Sequence, residues 1–442
     1  MPEKAPVVRW EPLFRVSLVI VPLTVAFLLS PSALIALGWE YVQPGGNPIE
    51  KVHPATYLSC LSLLCFTVML GNIKKVNVIL FGPDAMFYYF SCWLILLTYA
   101  GLFLAVPFMA VIDTWLLPAL LSIMIMMLSQ RQTALVGRMF DLLMFANTAL
   151  GIFEFVKNWR LIPLTQWSGV LGQWVYPHEW RSTSLLGHPL TNSYVTGAYM
   201  LALFLGLRFK SMSVRFLLIG YYSIGLIAFG SRGATVFLLV AVVLMIFHSI
   251  FKATQTGRIR RDILVILGLG VPALSLIVPA VLGSGIADRF IERFLHDKGS
   301  AETRSLAVDV VMSFPLSSLV LGSPSVLINA ILGRFGLIAI ENFWLSFLLT
   351  YGILGCVIFF PAIFVFCRAL VRHSSSKTAF ILIYFLACCT TSTSLASKSL
   401  SLALVCVLCL TSREVLKPRQ TSSAEQKDTS PSSHSPALLR EV

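Results

Sequence analysis

The chain has 442 residues, is 57% hydrophobic, and only 12% of it is charged, where a soluble protein carries about a quarter charged residues. Its net charge of +13 does not point to nucleic acid, because the basic residues lie in short segments between apolar runs rather than in one patch. The apolar residues fall in blocks of about twenty, the length that crosses a hydrocarbon core as a helix. That excludes a set of soluble domains and predicts one all-α polytopic membrane bundle.

Taken in order, the chain opens with MPEKAPVVRWEPLFR. A long apolar run without a small-residue cleavage site follows, which predicts a first transmembrane helix rather than a removable signal. Spans are expected near 16–38, 55–72, 86–105, 107–128, 139–156, 190–208, 213–229, 234–251, 263–282, 342–367, 378–394 and 398–412, about twelve in all. The first nine, with short loops, occupy 1–282, and the last three occupy 342–412. Between them, 283–341 leaves the apolar pattern for far longer than an ordinary connection, which marks a functional segment. The end, 413–442, is Ser/Pro-rich and expected to be disordered. The cysteines lie in or at the edges of apolar spans, so the Cys406-x-x-Cys409 pair reads as small packing residues and not as a metal or redox motif.

With the N-terminus inside, the inner loops collect Lys74, Lys75, Arg131, Arg138, Arg208, Lys210, Arg215, Lys252, Arg258, Arg260, Arg261, Arg368, Arg372 and Lys377. This asymmetry follows the positive-inside rule and makes both termini cytoplasmic. The outer side then receives 39–54, 157–189, the short turn GSRGA at 230–234, and 283–341.

The residues that could carry chemistry lie on that outer side. Arg232 is held in a tight Gly-flanked turn, and its planar fork suits phosphate oxygens; the alternative is an interfacial arginine at a helix end. Arg181 and His188 lie in EWRSTSLLGHPLTNSY, where GHP starts a helix and Asn192 falls in its first turn. A helix start with free N–H groups suits an anion, although His188 also reads as a plain helix-start residue. In 283–341, amphipathic helical pieces are expected around 287–296 and 302–313, carrying Arg289 and Arg304. Glu341 and Asn342 stand where this segment meets the next apolar span. A carboxylate there is costly unless it pairs or lines a cavity, or else it favours a helix start through the macrodipole. No nucleotide-binding glycine motif and no paired acidic metal site is present, so no cofactor and no metal are expected.

GHPLTNSY, FGSRGA, TRSLAVDVVMSFPLSSLVLGSP and ENFWLSFLLTYGILG, in this order, resemble the O-antigen ligase/polymerase superfamily of bacterial membrane glycosyltransferases over roughly 139–395. GNPIEKVHPATYL also looks like exopolysaccharide polymerases of that group. The resemblance implies a C-type glycosyltransferase-like bundle in the bacterial inner membrane, with a long periplasmic loop and a periplasmic, metal-independent active site. Its partners would be the bilayer and an undecaprenyl-diphosphate-linked glycan as donor and acceptor, with a chain-length co-polymerase as a further option and no nucleic acid. Arginines matching Arg232 and Arg304 are implicated in holding the diphosphate. In ligases a histidine before the following span is proposed as base; here Glu341 takes that position, which favours the polymerase branch. Arg181, His188, Asn192, Arg289 and Asn342 are then expected to contact diphosphate or glycan. A ligase acting on lipid A-core is the alternative. A lipid-linked glycan flippase fits less well, since the spans hold few polar residues beyond Glu154 and Asp113 near their ends.

Overall fold

A computed structural model describes residues 11–42, 46–104, 109–162, 180–256, 300–337 and 339–412. The expected span 263–282, the amphipathic piece 287–296 with Arg289, and the tail 413–442 lie outside the described residues. All regular structure among the described residues is helical. In chain order the helices are α1 (Glu11–Leu28), α2 (Pro31–Ala36), α3 (Pro54–Leu64), α4 (Ile73–Phe81), α5 (Met86–Tyr99), α6 (Met109–Met127), α7 (Gln130–Lys157) and α8 (Pro189–Phe204). Then follow α9 (Met212–Phe229), α10 (Arg232–Thr256), α11 (Ser300–Met312), α12 (Leu316–Leu321), α13 (Ser325–Arg334), α14 (Phe343–His373), α15 (Thr378–Cys388) and α16 (Ser401–Thr411).

Two helices form the centre. Every residue of α16 is buried, as is every residue of α8 from Asn192 to Leu203. α16 packs on α6, α7 and α8, while α8 packs on α9, α10 and α15. The peripheral helices instead turn apolar side chains outward: Leu239, Val243, Leu244, Phe247 and Phe251 of α10 are all exposed. A helix that is apolar all round on its open face is stable where the solvent is lipid. Among the described residues, six helices are long and apolar enough to cross a membrane, or seven if the bent pair at α3–α4 is one broken span.

Twelve spans are not reached among the described residues, and the reasons are local. The first expected span, 16–38, is broken after Leu28: Pro31 starts α2, and the Ser30 hydroxyl accepts the Ala33 N–H at 3.3 Å. Lys74 and Lys75, expected in a loop, lie on a helix: the segment Pro54–Met69 and α4 meet at 117°. α15 and α16 are only 11 residues each, too short alone to span a bilayer.

The segment expected as a polar loop is folded where it is described. α11 covers the amphipathic piece read at 302–313, and α12 and α13 are additional. Pro315 and Pro324 precede the two extra helices, in extended conformations that keep the chain from continuing the helix before. Ala307, Val310, Phe314, Ile331, Leu332 and Ile340 bury themselves against Leu349 of α14 as a small second core. α14 is itself broken at Gly352, whose φ of 70° and ψ of 177° no helix contains. The end of α12 seats in that break.

Candidate functional site

The termini of α6, α7, α8, α9, α10 and α16 that face one end of the bundle carry many buried polar side chains, and two carboxylates, Glu154 and Asp113, organise them. Glu154, fully buried near the C-terminal end of α7, binds the chain that returns to α8. Its Oε2 accepts the Ser182 hydroxyl at 2.5 Å and the N–H groups of Thr183 and Ser184 at 3.0 and 2.9 Å. Its Oε1 accepts the Leu161 N–H at 3.0 Å. A carboxylate receiving this many donors is stable out of water.

Asn147, two turns earlier on α7, continues the staple. It accepts the Leu185 N–H at 3.1 Å and donates to Asn192 Oδ1 at 2.8 Å. Asn192 in turn donates to the carbonyls of Thr183, at 2.5 Å, and His188, at 3.0 Å. The segment 180–188 is thus fixed against α7 and α8 by side chains from both, and Ser184 is held at φ 45°. Asn192, expected to meet substrate, spends its amide on this staple.

That staple sets Arg181 and His188. The Ser182 N–H donates to Ala228 O at 3.1 Å, which ties the chain one residue after Arg181 to the end of α9, two residues before the Gly230–Ser231 turn from which Arg232 begins α10. His188 caps α8 without using its ring. The residue as a whole is solvent-accessible, while protein atoms crowd around its imidazole. That environment, with the Arg181 cation adding to it, pulls its pKa down to about 4, so the imidazole is neutral near pH 7 and can accept a proton or a hydrogen bond. Arg160 donates twice to the Arg181 carbonyl, at 3.1 and 2.9 Å, and stacks 4.8 Å above Trp180.

The second carboxylate, Asp113, is fully buried in the first turns of α6. It accepts the Tyr41 hydroxyl at 2.6 Å, the Thr56 hydroxyl at 2.6 Å and the His53 N–H at 3.0 Å. Lys398, in the chain entering α16, donates to the carbonyls of Tyr41 and Lys51, and its ammonium sits 3.9 Å over the Tyr41 ring. Burial lowers the Lys398 pKa to about 8, against the opposing pull of Asp113. Burial also lowers that of His53, whose Nδ1 accepts the Ala55 N–H at 3.1 Å. Thr391, in the same returning chain, meets Tyr194 of α8 at 3.3 Å between hydroxyls, and its side chain packs on Gly233 of α10. The chain between α15 and α16 therefore bridges the Asp113 cluster to the Arg232 turn.

Glu341 is exposed one residue before the cap of α14, where Asn342 accepts the Leu345 N–H at 3.2 Å. Phe343 lies 6.1 Å from the ring of Trp115, two residues beyond Asp113. Glu341 and Asn342 thus join the same end of the bundle, although Asn342 uses its side chain as a helix cap. Arg304 lies on α11, with its side chain outside the described part, and Arg289 is outside the described residues altogether. Among the described residues no cluster of three His, Cys, Asp or Glu side chains could hold a metal ion.

Sequence reasoning named Glu154 and Asp113 only as span-end carboxylates and did not single out Asn147 or Lys398. The available signal was a charged or amide group inside an otherwise apolar run, which is costly in a membrane and stays only where it is fully partnered. No family model matches this chain, and comparison with curated proteins gives no match. What the fold defines is a protein whose described residues form helices and no strands, several of those helices being able to cross a membrane.

Proposed function

We propose that this chain is a bacterial membrane glycosyltransferase that joins undecaprenyl-diphosphate-linked repeat units into a polysaccharide at the periplasmic face of the inner membrane. The observation that carries the reading is the hydrogen-bonded segment that holds Arg181 and His188 and is tied through Ser182 to the end of α9, just before the turn that starts α10 with Arg232, at the end of a bundle with an apolar exterior. A lipid-linked diphosphate has its apolar part in the bilayer and its charge at the interface, which is the pairing this end of the molecule offers.

In this mechanism a sugar hydroxyl of the incoming repeat attacks the anomeric carbon of the growing chain. The new glycosidic bond forms as the bond to the diphosphate oxygen breaks, with inversion from a single displacement. Undecaprenyl diphosphate leaves with the electron pair, and the hydroxyl proton passes to a base. Arg232 and Arg304, aided by Arg181, hold the charge that develops on the leaving oxygen; preorganised charge of this kind is usually the largest single catalytic contribution. Glu341 receives the proton, while neutral His188 orients glycan hydroxyls.

Polymer formation from a purified lipid-linked repeat, with protein level controlled, tests these roles. Arg232→Ala is expected to lower turnover by about a hundredfold or more, and Arg232→Lys to recover little of it, because an ammonium cannot contact phosphate bidentately. Glu341→Gln keeps the shape but loses the proton acceptor, and a drop of about a hundredfold is expected. Near-normal polymer from Glu341→Gln would reduce that residue to a helix-start carboxylate and leave the arginine roles standing. Full activity in Arg232→Ala would remove the centre of the mechanism.

A further inference from the structure

At the opposite end of the bundle, two adjoining recesses open between α1, α4, α6 and α7. The larger, about 750 Å³, is bordered by Glu11, Arg15, Lys75, Arg131 and Gln132, with Met126 and Met127 on its wall. The smaller, about 310 Å³, shares Lys75, Met126 and Met127 and continues along Val78 and Ile79 of α4, with Lys74 at its edge. One recess therefore offers cations and the other an apolar lining, and they meet at common residues.

The walls are tied together. The Gln132 amide, part of the Ser129 capping box of α7, donates to Pro12 O at 3.1 Å. Arg15 donates to Asn72 Oδ1 at 3.3 Å, joining α1 to the residue that precedes α4. Glu11, the lone carboxylate on the lining, is already paired with Arg15 at 2.7 Å. Among the described residues no ion pair is formed by Lys74, Lys75 or Arg131. Uncompensated positive charge thus remains around the larger recess. α4 itself buries Val76 and Ile79 while exposing Ile73, Val78 and Phe81 beside the two lysines, the pattern of a helix lying in a membrane interface.

The geometry points to a binding site for an anionic phospholipid of the surrounding leaflet, with its phosphate headgroup against Lys75 and Arg131 and an acyl chain along Val78, Ile79, Met126 and Met127. Basic pockets between membrane helices take anionic headgroups by this combination of charge and burial. The site is independent of the glycosyltransferase reading and requires only that the bundle sit in a bilayer.

The test uses the full-length protein, delipidated in a neutral detergent and titrated with phosphatidylglycerol or phosphatidylcholine, bound lipid being counted by native mass spectrometry. Phosphatidylglycerol is expected to bind at least about tenfold more tightly than phosphatidylcholine, and glycerol phosphate alone to compete poorly because it lacks the chain. Removing two cations in Lys75→Gln/Arg131→Gln is expected to lower phosphatidylglycerol affinity at least about tenfold and phosphatidylcholine affinity little. Equal binding of the two lipids by the unaltered protein would overturn the proposal without any variant. So would a double variant that keeps the preference, and effective competition by glycerol phosphate would show a free-phosphate site in place of a lipid site.

Discussion

Glu154→Ala is expected to release the 180–188 segment and abolish transfer, although the residue touches no substrate in the mechanism above. Four donors converge on its carboxylate, three of them main-chain N–H groups, at a side chain that is fully buried. Alanine leaves all four without an acceptor, and each orphaned donor costs about 1–3 kcal/mol. The contributions do not add fully, because the segment relaxes and water enters, but a loss of at least about 3 kcal/mol is expected for the local structure. Glu154→Gln fares little better, since its NH₂ must face donors on one side. Hydrogen exchange reads the effect without reference to activity. The Thr183 and Ser184 amides, protected in the unaltered protein, are expected to exchange rapidly in the variant while α16 amides remain slow. Protection that survived at both amides would mean the segment is held by other contacts.

The second large effect is expected at Gly352, in the break of α14. A Cβ built there would lie 2.3 Å from Val320 O, 2.4 Å from Gly322 N and 2.7 Å from Leu321 C, all main-chain atoms that cannot swing away. The φ of 70° with ψ near 180° is also a conformation that only glycine enters easily. Strain and overlap together predict about 3 kcal/mol or more of destabilisation for Gly352→Ala. Gly333→Ala is the matched control: it sits within α13 with nothing within 4 Å of the built Cβ, so it is expected to be neutral or slightly stabilising. Thermal unfolding of the two purified variants compares them directly. Equal midpoints would mean that α12 does not seat in the α14 break.

Much of the helical framework was legible in the sequence because apolar runs of span length have few other uses. The limits of α8, α9 and α14 lie within a few residues of expectation at their N-terminal ends, where Pro189, Ser211 and Asn342 punctuate the chain. What was not legible depends on contacts between distant residues. Nothing local in SSLVLGSPS announces α12 and α13, since their stability comes from the small core they share with Leu349 and from the close approach of Gly322 to Gly352. The seating of Arg181 was likewise hidden: Glu154 meets Ser184 across thirty positions of sequence. Lys398 was unremarkable in a serine-rich run, and only the fold carries it to Tyr41, 357 positions away. Arg232, Arg181, His188 and Glu341 were legible as candidates because each is a polar group at the edge of an apolar run. The sequence could not show that Asn192 and Asn342 are occupied as staple and cap.

Glycosyl transfer from a lipid diphosphate fixes a product stoichiometry that can be measured. The purified protein in nanodiscs would be given a single undecaprenyl-diphosphate-linked repeat unit, with glycan length and free undecaprenyl diphosphate measured together. One undecaprenyl diphosphate is expected to be released for each repeat joined, with release and growth lost together in Arg232→Ala. Folded protein that moves the lipid-linked glycan across a bilayer, yet releases no undecaprenyl diphosphate and lengthens no chain, would contradict glycosyl transfer.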